Sequence, residues 1–484
     1  MGVQSQIGIK SFGAYVPARR MLRAAIAEAH AWSYPPASAG IKGELSLCNW
    51  DEDAISMAVE AGRDCLAGAD QAAITGLDLA STTAPYADLQ NAAIAACALG
   101  VPKSVSCADH GGSTRAGLVT INRACASRPE GDTLVIASEK RIAKPRSPQE
   151  LLYGSGAAAL LIGSGPNLQA RFLGCESLSV PFVDHFRHAG ERFDYYWEER
   201  WIRDEGVAKI VPRVAKALLT RLDIGADRVA QFGLSGGPPG SDRLVAKALG
   251  IAPERILPDL LSQTGDTGAA HAPLLLIEAL ERSRAGDIVV IAAFSQGCEI
   301  AAFEVLADPQ PKTHRGLSGH LARRIEETSY LKMLSIGENL ELDWGMRAEA
   351  DQKTALTEQY RSTEQILGFI GGRCGRCEAV QFPSLPACVN CGALGSQTPQ
   401  SLADEPAKVA TYTVDWLQYT PAPPLYVGLV QFDVGARLLM EITDVGPAGL
   451  EVGTPLEMRF RIKERDRLRH YDRYFWKAAP KHLK

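Results

Sequence analysis

The sequence predicts an α/β protein with a smaller, β-rich C-terminal part. Residues 1–307 alternate between apolar strand-like runs and helical patterns, an order typical of a sheet covered by helices. Beyond residue 370, short strand candidates are separated by Pro and Gly, which is typical of a small barrel. The chain has 484 residues, which is enough for two or three domains.

Composition and charge exclude several classes of protein. Apolar residues make up 46% and charged residues 22%, which excludes a disordered, collagen-like or coiled-coil chain. The formal net charge of −5 favours neither a nucleic-acid nor a membrane partner, and no apolar run reaches the ~18 residues of a membrane span. The N-terminal segment shows neither the pattern of a signal peptide nor that of N-myristoylation. We therefore expect a cytoplasmic protein that binds neither nucleic acid nor membrane.

Four local patterns predict single helices or strands. Residues 7–15 form a strand-like run, and residues 51–66 have acidic residues in the first turn and apolar residues at helical spacing. We expect a strand and a helix there. Polar helical patterns at 317–331 and 346–360 predict two further helices.

Two buried strands resemble each other. Residues 133–137 and 288–292 are continuous apolar runs, and each follows a Gly-Asp turn. This similarity predicts that residues 1–307 are built from two similar halves, about 1–165 and 166–307.

The C-terminal part divides into three segments by composition. We assign 308–370 to a linker and helical segment, 371–398 to a cysteine-containing segment and 399–484 to a small barrel. The strand candidates of the barrel are 409–416, 426–432, 437–442 and 456–462.

Eleven cysteines occur in the chain, and four of them form two close pairs. Cys374 and Cys377 are followed after ten residues by Cys388 and Cys391. Two C-x2-C pairs can surround one tetrahedral ion, and four thiolates suit zinc. Because four cysteines leave no open position for water, we predict a structural zinc ribbon. The alternatives are free thiols or a redox pair.

Basic residues occupy every odd position from 459 to 469. In a regular strand they would share one face and form a basic stripe. The alternatives are a solvated outer face, a contact with the phosphates of coenzyme A and a contact with a neighbouring subunit.

Residues 5–307 resemble 3-hydroxy-3-methylglutaryl-CoA synthase and ketoacyl-ACP synthase III, which belong to the thiolase superfamily. The tail from about 325 resembles the zinc-ribbon and OB-fold domain that accompanies acyl-CoA thiolases, synthases and aldolases. The resemblance implies a five-layered αβαβα thiolase-like fold with a C-terminal zinc ribbon and small OB-type barrel. It also implies a homodimer that acts on a CoA-bound acyl group. It is carried by the segments 13–17, 51–56, 152–163, 265–279 and 286–303.

The catalytic cysteine and histidine of that family have no counterpart in this chain. The nucleophile position falls at His110 or Gly111, and Cys107 lies three or four residues too early. The histidine position falls around 233–235, where the chain has Gly-Leu-Ser. A covalent acyl-enzyme is therefore not expected.

The other two family positions are also changed. The family asparagine corresponds to Asp266, and the glutamate of the methylglutaryl synthases corresponds to Thr82 or Thr83. The resemblance therefore implies C–C bond cleavage or formation in a β-keto- or β-hydroxyacyl-CoA without the usual cysteine acyl-enzyme. Retro-Claisen cleavage is slightly favoured over retro-aldol cleavage.

His110 and Asp266 are the candidate general acid–base residues for this chemistry. Asp109 would either cap the following helix or orient His110. Ser113 and Thr114 precede a helix whose N–H groups could bind a thioester oxygen.

Further candidates for substrate contact are Thr82, Cys298 and Trp197. Trp197 lies in an aromatic stretch that predicts either a surface helix with an aromatic face or a wall for a bulky acyl group. Two other functions remain open. The chain could be an inactive scaffold subunit, or a conventional synthase-like acyltransferase that uses Cys107.

Overall fold

A computed structural model describes residues 6–33, 41–127, 130–308, 315–349 and 354–482. The chain forms two compact units. The large unit comprises Met1–Leu47, Asp53–Ala96 and Val101–Ala322; the tail unit comprises Cys48–Glu52, Cys97–Gly100 and Arg323–Lys484. Among the described residues, no helix has the length and apolarity needed to cross a bilayer.

The chain up to Ala322 alternates strands and helices as predicted. The helices and strands are β1 Ile7–Tyr15, β2 Arg19–Leu22, α1 Arg23–Ala29, β3 Glu44–Ser46, α2 Ala54–Leu66, β4 Ile74–Ala80, α3 Asn91–Leu99, β5 Ser106–His110, α4 Ala116–Ser127, β6 Asp132–Lys140, β7 Ser155–Ser164, β8 Ala170–Ser179, β9 His185–Phe186, β10 Tyr195–Tyr196, α5 Glu199–Trp201, α6 Ala208–Arg221, β11 Val229–Ser235, α7 Ser241–Leu249, α8 Leu261–Thr264, α9 His271–Arg282, β12 Ile288–Phe294, β13 Gly297–Val305 and α10 Gly316–Ala322.

Nine strands form one mixed sheet in the order β11-β12-β13-β8-β1-β7-β6-β4-β5. In the first half, β4 runs parallel to β5 and β6, and β6, β7 and β1 are antiparallel neighbours. The second half repeats the pattern: β11 is parallel to β12, and β12, β13 and β8 are antiparallel neighbours. The two strands that follow a Gly-Asp turn, β6 and β12, hold equivalent places.

Helices α4 and α9 pack together on one face of this sheet. Their apolar side chains share one core cluster with Ala80 and Ala137, which face them from β4 and β6. At Gly117 of α4, a Cβ atom would overlap the carbonyl oxygen of Ala269. The glycine therefore allows the first turn of α4 to approach the backbone that leads into α9. We call this face of the sheet the inner face.

The tail unit contains two small sheets. A three-stranded sheet has the order β16-β15-β17, and a five-stranded sheet has the order β20-β19-β18-β21-β22. A bridge between Ile442 and Ala478 brings the end of β20 beside β22, as expected for a barrel. The helices and strands are β14 Ile325–Glu327, α11 Tyr330–Ile336, α12 Leu356–Arg361, α13 Thr363–Ile366, β15 Ile370–Cys374, β16 Val380–Gln381, β17 Gln397–Ser401, β18 Ala407–Asp415, β19 Leu425–Phe432, β20 Arg437–Glu441, β21 Pro455–Asp466 and β22 Tyr471–Pro480.

Two predicted helices differ from the structure. The stretch 317–331 is not one helix, because α10 ends at Ala322 and the short strand β14 precedes α11. The side chain of Ser329 caps α11 by accepting from the backbone N–H of Lys332, which marks a new helix start. Of the stretch 346–360, residues 346–349 and 354–360 are described; they contain a short helical turn at Met346–Ala348 and α12 from Leu356 onward. Residues 309–314 of the predicted linker and helical segment lie outside the described residues.

The expected basic stripe is wrong. Arg459 and Arg461 are buried, and a register shift between Ile462 and Glu464 breaks the alternation. Strand β21 ends at Asp466, so Arg467 and Arg469 lie in the turn that follows. Strand alternation alone does not reveal this, because the carboxylates that make the burial of Arg461 possible come from distant parts of the sequence.

Candidate functional site

Strand register shows which side chains share the inner face. His110 pairs with Ala80, and Ala80 pairs with Ala137. Paired residues on neighbouring strands project from the same face, so His110 faces the side on which α4 and α9 lie. Glu139, two residues beyond Ala137 on β6, faces the same side.

His110 lies beside Asp78 of the neighbouring strand. Its Nε2 is 3.3 Å from Asp78 Oδ1, and the two side chains are 30% and 25% exposed. Nε2 is buried and makes no hydrogen bond in this geometry, so the contact with Asp78 is one of charge and proximity. Asp78 was not among the sequence candidates, although a lone carboxylate in the apolar strand β4 was a visible signal.

Asp109 does not orient His110, and this part of the sequence prediction is wrong. Neighbouring residues of a strand project to opposite faces, so Asp109 points away from the inner face. Its carboxylate accepts hydrogen bonds from the backbone N–H groups of Asn91 and Ala92, both at 2.8 Å. Asp109 therefore caps α3, whereas the alternative expectation was a cap on the helix that follows.

Cys107 shares the outer face with Asp109, because it lies two residues before it on β5. Burial raises the pKa of this thiol, and the neighbouring carboxylates Asp109 and Asp78 raise it further. The thiol is therefore protonated near neutral pH and points away from the inner helices. This placement does not fit a thiolate nucleophile.

Glu139 is fully buried at the end of β6. Its carboxylate accepts hydrogen bonds from the backbone N–H and hydroxyl of Thr82, at 3.1 and 3.0 Å, and from the N–H of Ala269 at 3.1 Å. Thr82 therefore positions Glu139. The sequence candidates did not include Glu139, although charged residues directly after a buried strand were a signal for a strand-end site.

Arg141, two residues further, is the centre of a buried ion-pair cluster. Its Nη1 lies 2.5 Å from Asp266 Oδ2, and its Nη2 lies 2.9 Å from Asp194 Oδ2. The guanidinium stacks on the ring of Tyr153 at 3.4 Å. Burial alone would lower the pKa of Arg141, but Asp266, Tyr153 and Asp194 raise it above its usual range. The side chain is a fixed cation.

Asp266 is the counter-ion of Arg141. Burial alone would raise the pKa of this carboxyl group, but Arg141 and His271 hold it below its usual value. Its other oxygen accepts from the N–H of Gly268 at 2.9 Å. Asp266 is thus an anion near neutral pH, which disfavours the predicted role as a general acid. Its position depends on Gly265, which has a φ of +77° and lies too close to Leu152 for any side chain.

The aromatic stretch is a two-stranded hairpin, β9–β10, and the predicted surface helix is wrong. Trp197 is 44% exposed and lies near Tyr195, whereas Tyr196 points to the opposite side, toward Asp266. Asp194 of the same hairpin contacts Arg141. One face of the hairpin is polar and contacts Arg141 through Asp194. The other face carries the exposed aromatic residues Tyr195 and Trp197.

The remaining predicted contacts differ in their surroundings. Ser113 lies in the turn before α4 and donates to the carbonyl of Ser295 at 3.4 Å, and Thr114 is half-buried beside it. Cys298 is fully buried in the core next to α6, and burial raises the pKa of its thiol. This burial gives no support to the predicted contact of Cys298 with substrate.

His271 begins α9 and is almost fully buried. Its Nδ1 accepts from the backbone N–H of Thr267 at 3.4 Å and lies 3.1 Å from the hydroxyl of the same residue. Burial lowers the pKa of the imidazole. The ring is thus neutral and holds the turn that carries Asp266.

The four clustered cysteines of the tail unit come together. The sulfur atoms of Cys374, Cys377, Cys388 and Cys391 lie within 4.8 Å of one another. Two pairs are 3.8 and 3.6 Å apart. Tetrahedral coordination with Zn–S bonds of about 2.3 Å requires sulfur atoms about 3.8 Å apart. The donor set therefore fits a zinc ion.

Hydrogen bonds lower the pKa of two of the clustered thiols, Cys374 and Cys377. The backbone N–H of Ala393 lowers the pKa of Cys391, but its hydrogen bonds with Cys377 and Cys374 raise it to about 11. The backbone N–H groups of Arg376 and Asn390 each donate to a sulfur at 3.4 Å. Hydrogen bonds from Ser396 and from backbone N–H groups lower the pKa of Cys374 to about 6. Only the deprotonated thiol binds metal, so this environment favours zinc.

Comparisons with known proteins agree with both units. Residues 241–305 match the family model of the 3-oxoacyl-[acyl-carrier-protein] synthase III C terminal. Residues 401–461 match the model of the ChsH2 C-terminal OB-fold domain.

Similar proteins cover most of the large unit. The hydroxymethylglutaryl-CoA synthase of Methanopyrus kandleri is 26% identical over 334 residues, which is 67% of this chain and 95% of that enzyme. The enzyme of the same name from Aeropyrum pernix is 28% identical over 334 residues, covering 67% and 92%. Among solved structures, a variant of OleA from Xanthomonas campestris superposes with a TM-score of 0.55 at 19% identity, covering 62% of this chain and 98% of that one. The synthase FabH from Pseudomonas aeruginosa gives 0.56 at 18% identity, covering 63% and 100%.

The fold and the matches define a thiolase-like α/β unit joined to an OB-fold tail, and the predicted fold class is confirmed. The predicted resemblance to hydroxymethylglutaryl-CoA synthase and ketoacyl synthase III, with a fused OB-fold domain, is also confirmed. The similarity to proteins named as synthases supports an enzyme.

Proposed function

We propose that this protein cleaves or forms a C–C bond in a β-keto- or β-hydroxyacyl-CoA by acid–base chemistry, without a cysteine acyl-enzyme. The observation that carries the proposal is the pair His110–Asp78, which lies on the inner face at the carboxyl end of β5. Relatives named hydroxymethylglutaryl-CoA synthase support an acyl-CoA substrate.

The proposed roles follow from the geometry. His110 is the general acid–base residue, and Asp78 is a positioning residue whose carboxylate lies beside the imidazole ring. The turn at Ser113 and Thr114 presents the first N–H groups of α4, a helix of 12 residues, to a substrate oxygen. Asp266 holds Arg141 in place and does not exchange a proton.

In the retro-Claisen direction, His110 takes up one proton and later returns it. The thiol of CoA, or water, gives its proton to His110 and adds to the β-carbonyl. The resulting alkoxide collapses and breaks the Cα–Cβ bond, and the released thioester enolate takes the proton back from His110. Retro-aldol cleavage begins instead with removal of the β-hydroxyl proton by His110. Neither route needs a nucleophile from the protein.

The surroundings of the cysteines support this choice. Cys107 lies on the outer face, and the turn between β5 and α4 reads Gly-Gly-Ser-Thr-Arg. A conventional synthase mechanism through Cys107 would require this thiol to leave its strand position.

Zinc and the dimer complete the proposal. The four-cysteine cluster would hold a structural zinc ion that fixes the loops between β15, β16 and β17.

The large unit would form a homodimer, because β5 is the last strand of the sheet and has a free edge among the described residues.

The test is turnover by the purified full chain on a panel of β-ketoacyl- and β-hydroxyacyl-CoAs, with intact-protein mass spectrometry alongside. We expect CoA-ester products without a covalent adduct, and a loss of about 10²–10⁴-fold in kcat for His110→Gln. Asp78→Asn should lower kcat while leaving KM nearly unchanged. His470→Asn, an exposed histidine in the turn after β21, is the matched control.

Two outcomes would overturn the proposal. A persistent acyl adduct that disappears in Cys107→Ser would restore the conventional mechanism. Absence of both product and adduct across the panel would favour an inactive scaffold subunit.

A further inference from the structure

A carboxylate of the hairpin lies between two fixed donors of the strand-end cluster. Asp194 Oδ2 is 2.9 Å from Arg141 Nη2 and accepts from the hydroxyl of Tyr153 at 3.0 Å. Donors at about 2.7–3.1 Å from one oxygen have the geometry of a site for an anionic oxygen.

The two donors are held independently of Asp194. Asp266 binds the other arm of the Arg141 guanidinium, and the guanidinium stacks on the Tyr153 ring. The backbone of Tyr153 also pairs with that of Asp266. Burial raises the pKa of Tyr153, so its hydroxyl keeps its proton. The donors would therefore remain in place if Asp194 left.

Asp194 belongs to a segment that carries its own counter-ion. Arg187, across the hairpin, has its Nε 3.5 Å from Asp194 Oδ1. The hairpin is attached to the site by few polar contacts, among them Arg187 to the carbonyl of Thr82 and Gln296 to the carbonyl of His185. If the hairpin lifted, Arg187 would still neutralise Asp194, and no charge would be left without a partner.

We propose that Arg141 Nη2 and the Tyr153 hydroxyl form a binding site for an anionic oxygen of the acyl substrate, and that Asp194 is its built-in competitor. The inference rests on the proposed function, since it assigns the ligand of the same strand-end site. The anionic oxygen has two sources, a carboxylate at the far end of the acyl group or the enolate formed during C–C cleavage. In either case the substrate must displace Asp194, and this lowers its apparent affinity.

Binding of unreactive acyl-CoAs tests the site without relying on turnover. Glutaryl-CoA carries a terminal carboxylate, and valeryl-CoA is its neutral match in length. For Asp194→Ala, we expect glutaryl-CoA to bind about tenfold more tightly in calorimetry, with valeryl-CoA unchanged. Glu191→Gln, which removes an exposed carboxylate of the same hairpin, should change neither affinity.

A second variant separates the donors from the competitor. Adding Tyr153→Phe to Asp194→Ala should cancel most of the gain, with circular dichroism confirming that both variants fold. If the site serves only the enolate, Asp194→Ala will leave both affinities unchanged and raise kcat on a β-ketoacyl-CoA. The proposal is wrong if neither affinity nor kcat responds, or if both acyl-CoAs gain equally. Loss of turnover in every variant, with the glutaryl-CoA gain retained, would reject the proposed reaction and keep the anion site.

Discussion

Arg461 and Glu52 form a fully buried ion pair in the tail unit, with Nη2 and Oε1 3.0 Å apart. The same guanidinium lies 3.1 Å from Asp444, and Lys477 pairs with Asp51 at 3.0 Å. The short segment Cys48–Glu52 thus supplies two carboxylates to a barrel that is otherwise built from the C-terminal third of the chain.

Removing the central cation should destabilise the tail unit strongly. Arg461→Met breaks the buried pair with Glu52, while Asp444 keeps Arg323 and Asp51 keeps Lys477. Breaking a buried pair in this way costs about 3–5 kcal/mol. Chemical denaturation followed by tryptophan fluorescence measures the change. Glu326→Ala, which removes an exposed partner of Arg324, should cost less than about 1 kcal/mol. Equal effects of the two variants would contradict the importance of the buried pair.

The cysteine cluster predicts one zinc ion per chain. Cys377→Ser should abolish bound zinc in metal analysis and lower the temperature at which the tail unit unfolds, because the metal stabilises only the folded ribbon. A chelator should have the same effect on the unaltered chain. Cys175→Ser, at a half-buried thiol of β8, should retain the metal. Full zinc content in Cys377→Ser would exclude this four-thiolate site.

Gly117 predicts a steric effect on the inner helices. Gly117→Ala forces the first turn of α4 away from Ala269 and should cost about 1–3 kcal/mol. Activity should fall with it, since this turn presents the N–H groups assigned to the substrate oxygen. Gly319→Ala in α10 is the control, because its new Cβ meets only the flexible side chain of Arg315. A stable, fully active Gly117→Ala variant would show that the close approach is not required.

The ion pair of Asp266 predicts a dependence of stability on pH. Because Arg141 holds the pKa of Asp266 below its ordinary 3.8, its contribution to stability is present above that value. It is lost as the pH falls through the lowered pKa. The stability difference between the unaltered chain and Asp266→Asn should therefore shrink in strong acid, as followed by urea denaturation from pH 7 to 2. Asp204→Asn removes an exposed partner of Arg203, and solvent screens that pair, so its effect on stability should be small at every pH.

The sequence alone predicted the elements and the cysteine cluster that depend on residues close together in the chain. Residues 7–15 form β1 as predicted, and the predicted helix 51–66 corresponds to α2 at Ala54–Leu66, where Asp53 caps the first turn. The spacing of the cysteines likewise identified the four that come together. In these cases the physical cause lies within a few positions of the chain.

The arrangement of the site could not be predicted from the sequence, because it depends on contacts that no local sequence pattern reveals. Asp109 and His110 are adjacent in sequence, yet the strand places them on opposite faces. The partners of Asp266 come from residues 141 and 268, and the occupant of the anion site comes from a hairpin near residue 194. Only the register of the sheet and the packing of α4 and α9 bring these groups together.

The segment Cys48–Glu52 also limits how the protein can be divided. A fragment that begins at Arg323 would contain the whole barrel sequence but neither Glu52 nor Asp51, which pair with Arg461 and Lys477. Arg461 would keep Asp444 and Lys477 would keep Glu441, but each cation would lose a buried partner. We therefore expect the isolated OB-fold tail to be less stable than the same unit in the whole chain, and no single cut of the chain separates the two units.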